Sequence, residues 1–318
     1  MDYLKSLYPE IREVLEKSIP NCFPELRFFL RKLFEEPMIS EAILPLAACQ
    51  AVNGEAKNAV HVCAALLALG VCLRILDDLE DQDRPGQLWE QVGFARAWNY
   101  ASAVHILSFE ILSNAPLQPQ IFHRINQSYI DAFFRVSAGQ DRDLAGVTRT
   151  IEDYWLTVEM KSAGFVATAC ATGAMVGTEN PHLIQACGVF GHHLGLALQI
   201  LNDMESIWRP DGIPDLKQGK ITLPLLYGLQ YHHPERDELL SLVTANKVAT
   251  HADRIKEILD NIDTKSFLIW AALKEREQAL ESIKNCPNSE GREVLESYIT
   301  GMFGDIDLLL RKPDVDKP

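Results

Sequence analysis

The stretch Leu73-Arg74-Ile75-Leu76-Asp77-Asp78-Leu79-Glu80-Asp81-Gln82-Asp83 is where a proline-free apolar run, beginning near Ala56, stops abruptly in acid. The length of the run predicts a helix in spite of Gly70. On a helix, Asp77 and Asp81 stand four apart on one face, with Asp78 flanking them. Three carboxylates at one helix end repel each other and oppose the negative pole of the helix dipole. The cluster therefore requires a cation, and oxygen donors without histidine or cysteine select hard Mg²⁺ over zinc. Taken alone, an acid run is more often ordinary solvated surface.

Helical spacing extends outward on both sides. Leu4, Leu7, Tyr8, Ile11, Val14 and Leu15 recur at intervals of three and four, with Pro9 marking the first turn of the main helix. A second helix follows from Glu25 to Glu35. Residues 40 to 52 and 56 to 76 form a helical hairpin about the turn signal Asn53-Gly54. Further helices are predicted for 88–112, 118–138, 150–177, 181–208, 220–231, 235–246, 249–284 with breaks, and 288–310. Alternating β-branched runs are nearly absent and no linker divides the chain, so one all-α domain over 1–318 is expected, with a frayed tail at 311–318.

The 318 residues are 47% hydrophobic, ample for a large core, and carry a formal net charge of −14. That charge argues against nucleic acid as a partner. No run of about 18 apolar residues reads as a membrane span, so no stable membrane insertion is expected. The first residues lack an export signal, which predicts a cytoplasmic protein. Seven scattered cysteines without a Cys-x-x-Cys pair read as small buried hydrophobes in a reducing compartment.

A second polar cluster, Asn202-Asp203-Met204-Glu205-Ser206, closes the 181–208 helix. Asn202 and Ser206 are again four apart, with Asp203 beside them, and mimic the first cluster with weaker oxygen ligands. A diphosphate held between two such ends also needs cations, and Arg84, Lys161 and Lys220 are the candidates. A single lysine is usually just a solvated side chain.

In this order the landmarks resemble the trans-isoprenyl diphosphate synthases, also called polyprenyl synthetases. Asp77-Asp78-Leu79-Glu80-Asp81 is similar to that family's first aspartate-rich motif, and Arg84-Pro85-Gly86 to the Arg-Arg-Gly that follows it. Gly139-Gln140-Asp141-Arg142-Asp143-Leu144 resembles Gly-Gln-x-x-Asp-Leu, and Lys161-Ser162 stands for Lys-Thr. Leu198-Gln199-Ile200-Leu201-Asn202-Asp203 takes the place of Phe-Gln-x-x-Asp-Asp. Asp215 to Pro224 matches Asp-Leu-x-x-Gly-Lys-x-Thr-Leu-Pro. The resemblance implies a bundle of long helices around a deep apolar cavity and a homodimer. It also implies three Mg²⁺ ions on Asp77, Asp78, Asp81, Asn202, Asp203 and Ser206, and an allylic prenyl diphosphate held by Arg84, Lys161, Lys220 and Gln199. Asp77, Asp78, Asp81, Lys161 and Lys220 are thus the expected catalytic residues, ionising the substrate by stabilising the departing diphosphate.

The departures from the family pattern shape the functional expectation. The second diphosphate site of a chain-elongating member uses a Gly-Gly-Lys-x-x-Arg-Pro segment and a histidine seven residues before the first aspartate. Here Glu36 to Pro45 carries neither lysine nor arginine, and the histidine position is Gly70. Asn202 and Ser206 resemble the start of the Asn-x-x-x-Ser-x-x-x-Glu motif of class I terpene synthases, with Pro210 in the last place. The leading expectation is therefore Mg²⁺-dependent ionisation of a C15 or C20 prenyl diphosphate followed by cyclisation to a terpene. The alternatives are a prenyltransferase acting on an acceptor without a diphosphate, then ordinary chain elongation, and last a noncatalytic partner subunit.

Overall fold

A computed structural model describes residues 2–34, 42–81, 91–208, 216, 219–245 and 247–304. The tail expected to fray at 311–318 lies outside them. Among the described residues the chain is all helix, without a strand. In chain order the helices are α1 Asp2–Ser6, α2 Tyr8–Ser18, α3 Pro24–Phe34, α4 Ile43–Ala51, α5 Val60–Asp81, α6 Phe94–Ser113, α7 Pro119–Leu144 and α8 Ile151–Val158. They continue with α9 Gly164–Gly177, α10 Pro181–Trp208, α11 Leu223–Gln230, α12 Arg236–Thr244, α13 Ala252–Asn261, α14 Thr264–Ile283 and α15 Ser289–Gly301.

Helix α5 is apolar on every side, which a helix tolerates only when it is surrounded by other helices. Val62, Cys63, Ala64, Ala65, Ala68, Leu69, Val71 and Cys72 are all buried, and α6 is its most extensive neighbour. From α7, the Tyr129 hydroxyl donates to the Val62 carbonyl at 2.8 Å in the core. Helix α10 packs extensively on both α9 and α14. The largest apolar cluster joins α1–α7 with α9, the first half of α10 and α15, and smaller clusters flank the second half of α10.

Contrary to the sequence expectation, two helical stretches, Ala56–Glu80 and Pro181–Trp208, have the length and apolarity of a membrane span. For the first, 72% of the apolar window is buried inside the bundle, so packing against neighbouring helices already accounts for its composition. Six of the seven cysteines are buried, Cys22 is exposed, and all seven are free thiols, matching their reading as small hydrophobes. The single helix predicted over 150–177 is instead two helices joined by one π turn, Glu159–Ala163. Helix α8 starts on a reciprocal cap: Asp153 N–H donates to Thr150 Oγ1 at 3.1 Å and Thr150 N–H to Asp153 Oδ2 at 3.2 Å.

Candidate active site

Two helices end here in acid. Asp77 and Asp78 stand in the last turns of α5, and Asp143 in the last turn of α7. Helix C-termini are electronegative, so carboxylates there need positive charge close by. Lys161 supplies it from the middle of the π turn. Its Nζ donates to Asp143 Oδ2 at 2.8 Å and lies 3.0 Å from Asp77 Oδ1 without hydrogen-bond alignment. Burial pulls the Lys161 pKa down, but the charges of Asp77 and Asp143 outweigh it, and the net shift is upward. Lys161 is therefore fully protonated at neutral pH. Asp78, also half-buried, brings a further carboxylate to this end. The locale suits further cations.

The second cluster is built differently from the expectation. Asp203 is 2% exposed, and both its carboxylate oxygens are taken. Tyr154 Oη donates to Oδ2 at 2.7 Å, Gln199 Nε2 to Oδ1 at 2.7 Å, and the Leu223 backbone N–H to Oδ2 at 3.1 Å. The carboxylate thus fastens α8 and the first residue of α11 to α10. Asp203 thereby serves as a buried strut, since an anion this enclosed is stable only when its donors surround it. Gln199, expected on the diphosphate, spends its amide on Asp203 and accepts from Ser162 Oγ at 3.3 Å. Asn202 is exposed, and Ser206 Oγ donates to the Asp203 carbonyl at 2.9 Å.

One chain of contacts connects the two clusters. Asp77 meets Lys161, the adjacent Ser162 meets Gln199, Gln199 meets Asp203, and Asp203 holds Leu223, three residues beyond Lys220. Lys220 precedes α11 and does not open it as expected. It follows a turn in which Gly219 adopts φ +77°, and the helix begins at Leu223. The expected ligand side chain of Asp81, together with Arg84 and Pro210, lies outside the described residues. Asp143 and Tyr154 were missed as individual site residues. Asp143 was visible in the Gly-Gln-x-x-Asp-Leu match, whereas nothing local to Tyr154 marks it. At Gly70, a side chain would come within 3.5 Å of the Phe165 ring on α9.

Residues 41–262 match the polyprenyl synthetase family. A short chain isoprenyl diphosphate synthase of Methanothermobacter thermautotrophicus is 26% identical over 93% of this chain and 95% of its own length. A geranylgeranyl diphosphate synthase of Mycobacterium tuberculosis is 30% identical over 67% of this chain and 64% of its own. The fold superposes on a decaprenyl diphosphate synthase of Rhodobacter capsulatus with a TM-score of 0.84 at 16% identity, covering 98% of this chain and 99% of the other. The expectation of a terpene cyclase is overturned here, since these relatives are named for building isoprenyl diphosphates and not for cyclising them. The acid-ended helices, the lysine between them and the match over residues 41–262 together make the chain a member of the polyprenyl synthetases, an enzyme family.

Proposed function

We propose that the chain is a prenyltransferase that ionises an allylic prenyl diphosphate and joins the prenyl group to isopentenyl diphosphate, lengthening the chain by one C5 unit. The observation that carries this is Lys161, held by Asp77 and Asp143 at the ends of α5 and α7, in a chain whose relatives are isoprenyl diphosphate synthases. Lys161 and Lys220 bind the diphosphate and stabilise it more as it leaves than while it is esterified, which lowers the barrier to ionisation. Apolar side chains lining the bundle then keep water from the cation.

The donor chemistry fits Mg²⁺. Asp77 and Asp78 offer hard carboxylate oxygens, and Asp77 Oδ1 is buried without a hydrogen bond. Among the described residues no three His, Cys, Asp or Glu side chains converge on one metal position, and Mg²⁺ would be held by these carboxylates together with substrate phosphate oxygens and water. Asp81, Asn202 and Ser206 are the further ligands in this proposal. When bound, Mg²⁺ neutralises the departing diphosphate as a Lewis acid. A single-domain cytoplasmic homodimer completes the proposal, tested for assembly by sedimentation.

A second reading is favoured by one observation. The second diphosphate site lacks its usual cations in sequence, and Gly70 faces the ring of Phe165 where a histidine is usual. The acceptor would then carry no diphosphate. One experiment separates the two. Purified protein is incubated with Mg²⁺ and C10, C15 or C20 allylic diphosphate, with and without labelled isopentenyl diphosphate. Diphosphate products longer by C5 support elongation. Turnover that needs an indole, phenol, peptide or lipid acceptor supports the second reading, and release of inorganic diphosphate under no condition overturns both.

A further inference from the structure

The π turn that carries Lys161 is gripped by two helices. A π turn loses the regular α hydrogen-bond ladder and persists where its surroundings hold it. On α7, Gly139 approaches so closely that a Cβ there would fall 2.6 Å from Lys161 N and 2.9 Å from its Cα. On α10, a Cβ at Gly195 would fall 2.6 Å from Ala163 Cα. Backbone atoms cannot yield as a flexible side-chain end can, so each approach exists only because the residue is glycine. One turn beyond each glycine stands a polar partner on the same face of the same helix. Asp143 follows Gly139 and takes the Lys161 ammonium at 2.8 Å, and Gln199 follows Gly195 and meets the Ser162 hydroxyl at 3.3 Å.

We propose that Gly139 and Gly195 are positioning residues that press α7 and α10 onto the π turn and set Lys161 within reach of Asp143 and Asp77. The inference rests on the prenyl-transfer reading for its purpose, since Lys161 is there a diphosphate-binding cation, but its test does not depend on turnover. A methyl at position 139 drives α7 away from the π turn. Asp143 moves with α7, so the ion pair opens. A methyl at Gly191 crowds α10 against α9 just as severely, 2.4 Å from Val166 O, but beyond the π turn. It is the control for general loosening.

The test is trace acetylation of the folded protein by acetic anhydride, with each lysine quantified by mass spectrometry. In the wild type, Lys161, 24% exposed and held by Asp143, is expected to react several-fold more slowly than Lys57, which is 64% exposed. Gly139→Ala is expected to raise Lys161 reactivity several-fold, because the amine is freed from Asp143 and uncovered as α7 moves away, whereas Gly191→Ala leaves it at the wild-type value. Unchanged labelling in a folded Gly139→Ala protein overturns the proposal, as does an equal rise in Gly191→Ala. Should Gly139→Ala not fold, Gly195→Ala is judged by the same comparison with Gly191→Ala. Wild-type Lys161 labelling as fast as Lys57 overturns the proposal without any variant. Loss of the prenyl-transfer reading would show instead as absent diphosphate release with Lys161 labelling as expected.

Discussion

The Tyr154 hydroxyl donates to Oδ2 of Asp203 at 2.7 Å, joining the first turn of α8 to the last turns of α10 inside the protein. Because Gln199 and the Leu223 N–H use the same carboxylate, Asp203→Ala strands three donors at once. It is expected to lower the unfolding free energy by about 3–5 kcal/mol, and Tyr154→Phe by about 1–2 kcal/mol. Urea unfolding measures both. An Asp203→Ala protein as stable as wild type would refute the strut role.

Lys161→Ala should separate activity from stability. Its partners are half exposed, so their release costs little, about 1 kcal/mol or less. A charge acting on a departing diphosphate is worth far more, and kcat/KM for the allylic substrate should fall by about 10² to 10³. Steady-state diphosphate release and a thermal melt on the same preparation decide it. A parallel collapse of both would make Lys161 structural.

Chelation by EDTA should abolish diphosphate release, and added Mg²⁺ should restore it. For Asp78→Ala, the Mg²⁺ concentration giving half activity should rise about tenfold or more, because a hard oxygen ligand is lost. A wild-type Mg²⁺ response in this variant would remove Asp78 from the metal site.

Mild acid should weaken the fold through its half-buried histidines. Burial lowers the pKa of His61, His105 and His192, with the neighbouring His193 adding to the shift at His192 and Glu159 and Glu275 opposing it. Below the ordinary histidine value of about 6.5, the unfolded chain binds protons that the folded chain refuses. Stability is therefore full above that pH and declines as pH falls through it. His105 stacks on Phe133 at 4.0 Å, and His105→Gln should flatten this decline in melts between about pH 7.5 and 5.5. An unaltered slope would contradict the assignment.

Much of the fold was legible because its signals are local. Pro9 does stand in the first turn of α2, and the 181–208 prediction matches α10 as observed. The acid end of α5 was equally plain, since composition changes there within a few residues. The π turn was not legible. The glycines packed against it, Gly139 and Gly195, stand 22 and 34 residues from Lys161 in sequence, and helical periodicity runs through Glu159–Ala163 without a break. The enclosure of Asp203 was hidden for the same reason, because its donors Tyr154 and Leu223 stand 49 and 20 residues away in sequence. The cyclase expectation rests on missing cations at residues 36–45 and on Gly70, and those few positions do not outweigh a likeness to isoprenyl diphosphate synthases that covers 93% of the chain.

The start of α15 rests on the end of α4. Asn288 N–H donates to the Ala51 carbonyl at 3.1 Å, and a Cβ at Gly291 would fall 2.3 Å from Ala51 N. These partners are separated by about 240 residues, so a ribosome working at roughly 5–20 residues per second makes α4 on the order of 10 to 50 seconds before α15. Throughout that interval the end of α4 at Ala51 lacks the cover that α15 gives it. Helix α15 is thus a late stitch of the bundle during synthesis, laid on α4 only after the helices between them have been made.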